Sequence, residues 1–287
     1  MSEHWHIGVL GGSGLSAGIE LDDAQEIEVA SPFGMPSGPV TTGRLGGVRF
    51  TFLARHGSGH TIPPDAVNYR ANIDVLKRCR VSDVIALSAC GSLREDFSPG
   101  HLVAVDQLID RTSGRERSFF GPGLVAHVSL ADPVCPRLSG LAADAAADAR
   151  ATVHRAGCYV AIDGPQFSTR AESRLYQSWG ADVIGMTGMP EARLAREAEL
   201  AYAMLAMVTD FDSWREGEAV SAGEVFTTMQ VNAELARATL IALAKSLPAK
   251  RSPSFADTAL DGAVVTAKDE RDRVLAAKLD AVAGRVL

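Results

Sequence analysis

Cysteine is scarce and scattered in this sequence. Cys79, Cys90, Cys135 and Cys158 form no C-x-x-C pair, which excludes a dense disulfide framework and the usual spacings of zinc ligands. Basic charge is also short. Lys and Arg number 28 against 35 Asp and Glu, a formal net charge of −7, so the chain lacks the broad basic face that nucleic-acid phosphates require. No apolar stretch approaches the length of a membrane span, and Met1 to His6 is no basic segment leading into a long apolar core. A G-x-x-x-x-G-K-[ST] phosphate loop, internal repeats and sustained heptads are missing too. The expectation from these absences is a cytoplasmic chain with reduced thiols that binds neither nucleic acid nor membrane.

Hydrophobic residues make up 46% of the chain and charged residues 22%, enough apolar material for a large core. Short runs rich in Val, Ile, Leu and Ala recur at 7–10, 50–54, 83–89, 101–105, 158–162, 182–187 and 202–209, and such runs suit strands buried on both faces. Helical patterns at about 65–79, 136–150, 170–179 and 190–201 lie between several of them. This alternation predicts an α/β fold, a mixed or parallel sheet covered by helices. Ser221 and Glu224 form an S-x-x-E capping box ahead of a long amphipathic helix, and Thr266 with Asp269 opens another that runs toward Leu287. We therefore expect one domain over 1–250 and a C-terminal extension over 251–287, packed on the same domain or on a neighbouring subunit.

Several strand ends carry groups suited to an anion. Ile7-Gly8-Val9-Leu10 runs into Gly11-Gly12-Ser13-Gly14, a loop whose backbone N–H groups could cradle phosphate. A plain tight turn is the competing reading. Gly12, Gly14 and Ala17 also satisfy the dinucleotide fingerprint G-x-G-x-x-A, but Ser16 to Asp23 lacks the apolar helical face that should follow. Arg55 and His56 follow the run Phe50 to Ala54, and a planar guanidinium can grip two oxygens of an oxyanion. His56 and His60 are four apart, but Gly57 and Gly59 make a shared helical metal site improbable. Ser88, Ala89 and Thr187 also follow buried runs, where a lone hydroxyl more often caps a turn.

Asp210 and Asp212 end the run Tyr202 to Val208. In an extended segment both carboxylates would point to one side, and close carboxylates resist ionising together, so one could keep a proton near neutral pH. Such a group is a general acid. Solvated loop acids or a Mg²⁺ site that a substrate phosphate completes are the competing readings.

Taken together, Gly11-Gly12-Ser13-Gly14-Leu15, Ala54-Arg55-His56-Gly57, the stretch from Ser88 to Glu95, the stretch from Gly164 to Ser173, Met186-Thr187-Gly188-Met189-Pro190-Glu191 and the stretch from Thr209 to Trp214 resemble the 5′-methylthioadenosine phosphorylase branch of the trimeric purine nucleoside phosphorylase family. They occur in the family's order from about 7 to 247. The resemblance implies a single-domain mixed sheet surrounded by helices, a homotrimer with shared active sites, and no metal or organic cofactor, inorganic phosphate being a co-substrate. It implies a phosphate-binding set of Gly12, Ser13, Arg55, His56, Ser88, Ala89 and Thr187. Phe167 then stands against the purine, Met186 beneath the ribose, and His60, Val225 and Phe226 near the 5′ substituent. Asp210 is implied to donate a proton toward N7 of the departing purine, and Asp212 to orient the base through its 6-amino side.

The implied reaction is phosphorolysis of 5′-methylthioadenosine to adenine and 5-methylthioribose 1-phosphate. Asp at 210 favours a 6-aminopurine, since a 6-oxopurine enzyme of this family is expected to carry Asn there. Gly185, where the adenosine-type branch often has Asn, and the stretch Met186 to Glu191 favour instead a methylthioinosine or other 6-oxopurine nucleoside phosphorylase. A nucleoside hydrolase and an inactive nucleotide-binding protein that keeps the fold are further alternatives.

Overall fold

In the computed structural model, which describes residues 4–12, 15, 18–216 and 221–287, the expected apolar runs form the middle of one sheet. Its strands are β1 (His6–Gly11), β2 (Asp22–Ile27), β3 (Val40–Leu45), β4 (Val48–Ala54), β5 (Asp83–Ser92), β6 (Leu102–Val105), β7 (Gln107–Asp110), β8 (Val153–His154), β9 (Cys158–Ala161), β10 (Val183–Gly185) and β11 (Ala201–Asp210). β4, β1, β5 and β11 are parallel neighbours, while β2, β3, β6 and β10 each enter at least one antiparallel pair, so the sheet is mixed. β1, β5 and β11 are almost wholly buried, and β4 is buried from Phe50 to Leu53, as helices on both faces demand.

The register of β5 positions the site. On one edge it follows β11 from Asp83 to Gly91. On the other, β1 covers only Asp83 to Ala86, and β10 takes over antiparallel at Gly91 and Ser92. The stretch between, Leu87 to Cys90, has no strand beside it on that edge. Open α/β sheets bind ligands where neighbouring strands part in this way.

Seven α-helices cover the sheet among the described residues: α1 (Tyr69–Arg78), α2 (Pro136–Asp148), α3 (Arg170–Ser178), α4 (Gly188–Glu197), α5 (Ala222–Ser246), α6 (Arg273–Lys278) and α7 (Asp280–Ala283). α5 begins after Ser221 as expected, but the Ser221 side chain makes no capping bond. The completed capping boxes are Thr169 with Glu172 and Ser254 with Asp257. β2 was not foreseen because an exposed edge strand of sequence Asp-Asp-Ala-Gln-Glu-Ile has no apolar alternation to betray it.

Residues 251–287 return to the same core through Ala256, Leu260, Leu279, Val282 and Ala283. Buried Arg251 bonds Asp83 at the start of β5 and holds Asp257 at 2.6 Å. The tail departs from the expected single helix. Thr266 Oγ1 accepts the Val125 N–H at 2.9 Å instead of capping its own turn; a short 3-10 turn forms at Lys268–Glu270, and the α-helix starts after Asp272, whose side chain caps Leu275 N–H.

Candidate active site

A cleft of about 630 Å³ lies over the gap beside β5. Gly12, Arg55, His56, His60, Ser88, Ala89, Phe167, Met186, Thr187, Asp210, Asp212, Val225 and Phe226 all line it. Of the site residues expected from sequence, Ser13 lies outside the described residues, and so do Gly14 and Ala17 of the dinucleotide pattern.

One wall carries hydroxyls and cations. Ser88 Oγ and Thr187 Oγ1 are 3.0 Å apart, so β5 and the loop after β10 meet here. Arg55 is only 2% exposed, and its guanidinium bonds Glu191 through Nε and Nη2 at 2.5 and 3.1 Å. It also donates to the Leu10 and Leu87 carbonyls, each at 3.2 Å. Of its five N–H donors one, on Nη1, is left for the cleft. Burial opposes the charge on Arg55, but the Glu191 carboxylate more than offsets it and holds the guanidinium above its usual range.

His56 is neutral near pH 7, because burial and then the Arg55 guanidinium push it down to about 4. Its Nδ1 lies 2.9 Å from the Ile62 carbonyl, which can only accept, so Nδ1 carries the hydrogen and Nε2 keeps a lone pair. The ring stacks on His60 with centroids 4.3 Å apart, and His60 meets Phe226 edge-on. No group of three or more His, Cys, Asp or Glu placed to hold a metal occurs among the described residues.

Asp210 ends β11 and Asp212 stands in the turn that follows, which corrects the extended geometry expected for the pair. Asp212 has φ +49, and its N–H donates to Asp210 Oδ1 at 2.8 Å. The chain thus folds back so that both acids face the cleft. Gly91 permits this approach: a Cβ there would lie 3.0 Å from Asp210 Oδ1 and 3.1 Å from Asp212 Cβ. Burial raises both carboxyls, Asp212 to about 6. Ser173 Oγ donates to Asp212 Oδ2 at 2.5 Å and opposes that rise. The Thr209 hydroxyl has one hydrogen and two neighbours, Asp210 Oδ2 at 2.7 Å and the Cys90 carbonyl at 3.1 Å. It can serve an ionised Asp210 as donor, or accept from a protonated one while donating to Cys90.

This combination of parted strands, an anion wall and a buried carboxyl pair has known counterparts. The phosphorylase superfamily matches the chain over residues 6–245. S-methyl-5′-thioadenosine phosphorylase of Cereibacter sphaeroides is 55% identical over 285 residues, 98% of each chain. The chain belongs to the phosphorylase superfamily. The enzyme of the same name from Bradyrhizobium diazoefficiens is 51% identical over 284 residues, again 98% of each chain. Among solved structures, a methylthioadenosine phosphorylase from an antarctic soil metagenomic library superposes with a TM-score of 0.92 at 42% identity, covering 98% of this chain and 99% of that one. The methylthioadenosine phosphorylase of Schistosoma mansoni in complex with adenine gives 0.80 at 37% identity, over 84% and 91%.

Several residues of this phosphorylase's site escaped the sequence reading. Glu191 is separated from Arg55 by 136 positions, and nothing in the local pattern marks the pair. Ser168 lay within a motif, yet only the structure shows its hydroxyl buried on the cleft with no partner among the described residues, a group awaiting a ligand. Arg115 holds the Met186 and Met189 carbonyls at 2.7 and 2.8 Å and so fixes the loop carrying Thr187. Gly185 has a packing reason: a Cβ there would lie 2.1 Å from the Tyr159 hydroxyl oxygen.

Proposed function

We propose that this chain cleaves 5′-methylthioadenosine by phosphorolysis, giving adenine and 5-methylthioribose 1-phosphate. The observation that carries the reading is one cleft that brings a hydroxyl-rich anion wall together with two buried carboxyls of raised pKa. Gly12, Ser13, Arg55, His56, Ser88, Ala89 and Thr187 hold phosphate. The neutral His56 accepts the hydrogen of protonated phosphate at Nε2, leaving the anionic oxygens to the hydroxyl and N–H donors. Phosphate attacks C1′ while Asp210, protonated, donates to N7 of the departing adenine. Asp212, ionised, accepts from the 6-amino group. Positioning phosphate against C1′ contributes effective molarities up to about 10⁵–10⁸ M.

Phe167 and Ser168 flank the base, Met186 lies beneath the ribose, and His60, Val225 and Phe226 form the 5′ pocket. Their mixed aromatic and apolar character suits a methylthio group better than a hydroxyl. No cofactor takes part in this scheme. A homotrimer in the cytoplasm belongs to the same proposal, and the exposed Phe167, Leu175 and Trp179 suit coverage by a second copy. A 6-oxopurine substrate has less support, because the demand of Tyr159 for space accounts for Gly185 without reference to the base.

The test is release of free base from 5′-methylthioadenosine, adenosine and inosine, each with and without phosphate. Phosphate-dependent release, fastest from 5′-methylthioadenosine, is expected. Undiminished release after phosphate removal would indicate a hydrolase, and preference for inosine a 6-oxopurine enzyme. A pH profile tests the role of Asp212. With Asp212 ionised in the active form, kcat/KM should fall as pH drops through about 6. Ser173→Ala, which removes a hydrogen bond to the carboxylate, should move that limb to higher pH; an unmoved limb would remove Asp212 from the titration.

A further inference from the structure

Tyr159, on β9, is fully buried and lies outside the cleft lining. Two glycines make room for its ring. A Cβ on Gly185 would lie 2.1 Å from the hydroxyl oxygen, and one on Gly188 would lie 2.9 Å from a ring carbon. The hydroxyl is placed directly behind the anion wall: it accepts the Thr187 N–H at 3.3 Å.

Thr187 in turn carries a hydroxyl of the wall: its Oγ1 lies 3.0 Å from Ser88 Oγ, which is also 3.2 Å from the Ala89 carbonyl. Burial holds the Tyr159 phenol above its usual range, so it stays a neutral acceptor for the Thr187 N–H. Chained hydrogen bonds polarise one another in a low-dielectric interior.

We propose that Tyr159 is a positioning residue for phosphate. It does not touch the anion. By accepting the Thr187 N–H it fixes the backbone from which the Thr187 hydroxyl meets Ser88 Oγ, and Gly185 and Gly188 are small so that it can. This inference rests on the assignment of Ser88 and Thr187 to the phosphate wall.

Tyr159→Phe keeps the ring and removes the hydroxyl. Losing one neutral hydrogen bond should raise KM for phosphate, and the Kd of inorganic phosphate measured by titration calorimetry without nucleoside, by about 3- to 10-fold. KM for 5′-methylthioadenosine should stay within about two-fold. A general loosening of the fold would instead raise both KM values together, and that result, or no change in either, would overturn the proposal. If Tyr159→Phe accumulates poorly, Tyr159→Met supplies an adaptable apolar side chain without the hydroxyl and carries the same expectation. Wild-type protein is measured first. If it releases base without phosphate and binds none, the phosphorolysis reading fails and this inference with it; phosphate-dependent wild type with an unchanged Tyr159→Phe defeats the inference alone.

Discussion

Asp210→Asn should lower kcat/KM for 5′-methylthioadenosine by about 10²–10⁴-fold, the usual contribution of a general acid, and cost inosine cleavage much less. The substitution spares the local structure. An amide oxygen still accepts from Asp212 N–H, the contact now made at 2.8 Å, and the amide nitrogen can donate to Thr209 Oγ1, whose hydrogen is then free for the Cys90 carbonyl. What disappears is the transferable proton. An amide can still donate to N7 and meets a 6-oxopurine without needing a charge change, so the two substrates separate. Steady-state kinetics with both is the measurement. Equal losses would leave Asp210 as a base-binding group only, and a separation produced by Asp212→Asn instead would exchange the two roles.

Glu191→Ala should destabilise the protein by about 3–5 kcal/mol, the cost of leaving a buried charge without its partner. Glu191 and Arg55 are 1% and 2% exposed, and Tyr202 Oη also donates to Glu191, at 3.1 Å. No water can replace the missing carboxylate without entering the core. Glu191→Gln, which retains an acceptor but no charge, should fall between. Denaturant unfolding of the three proteins checks this. A loss below about 1 kcal/mol for Glu191→Ala would mean that Arg55 reaches solvent or another anion when Glu191 is gone, and that the strand-end carbonyls, not the ion pair, keep it in place.

The sequence was most legible where chemistry and periodicity coincide. Buried parallel strands leave continuous apolar runs, so β1, β4, β5 and β11 could be read directly; their ends named Arg55 and Asp210, while Ser88, read as following an apolar run, lies inside β5. It was least legible where a contact joins distant segments. Arg55 with Glu191, Ser173 with Asp212, and Tyr159 with Gly185 and Thr187 are pairings set by topology. Ser173 lies 39 positions from its carboxylate, and no local pattern links a helical serine to a turn after another strand. The turn at Asp212 was misread for a related reason. Its positive φ is stabilised by the side chain of Asp210, and Asp tolerates that region more readily than most residues, so a strand-like reading continued two residues too far.

The edge of β5 where β1 ends and β10 begins has a consequence for how the cleft comes into being. Neither flanking strand contains the site; it exists only in the interval they leave, and the far side is supplied by β11, which joins β5 across more than a hundred intervening residues. A chain with its helices formed and its hairpin of β3 and β4 closed would hold Arg55 but not yet have Asp210 across the cleft from it. The anion wall and the carboxyl pair therefore face each other only once β5 has paired with β11, and a partly assembled chain presents one without the other.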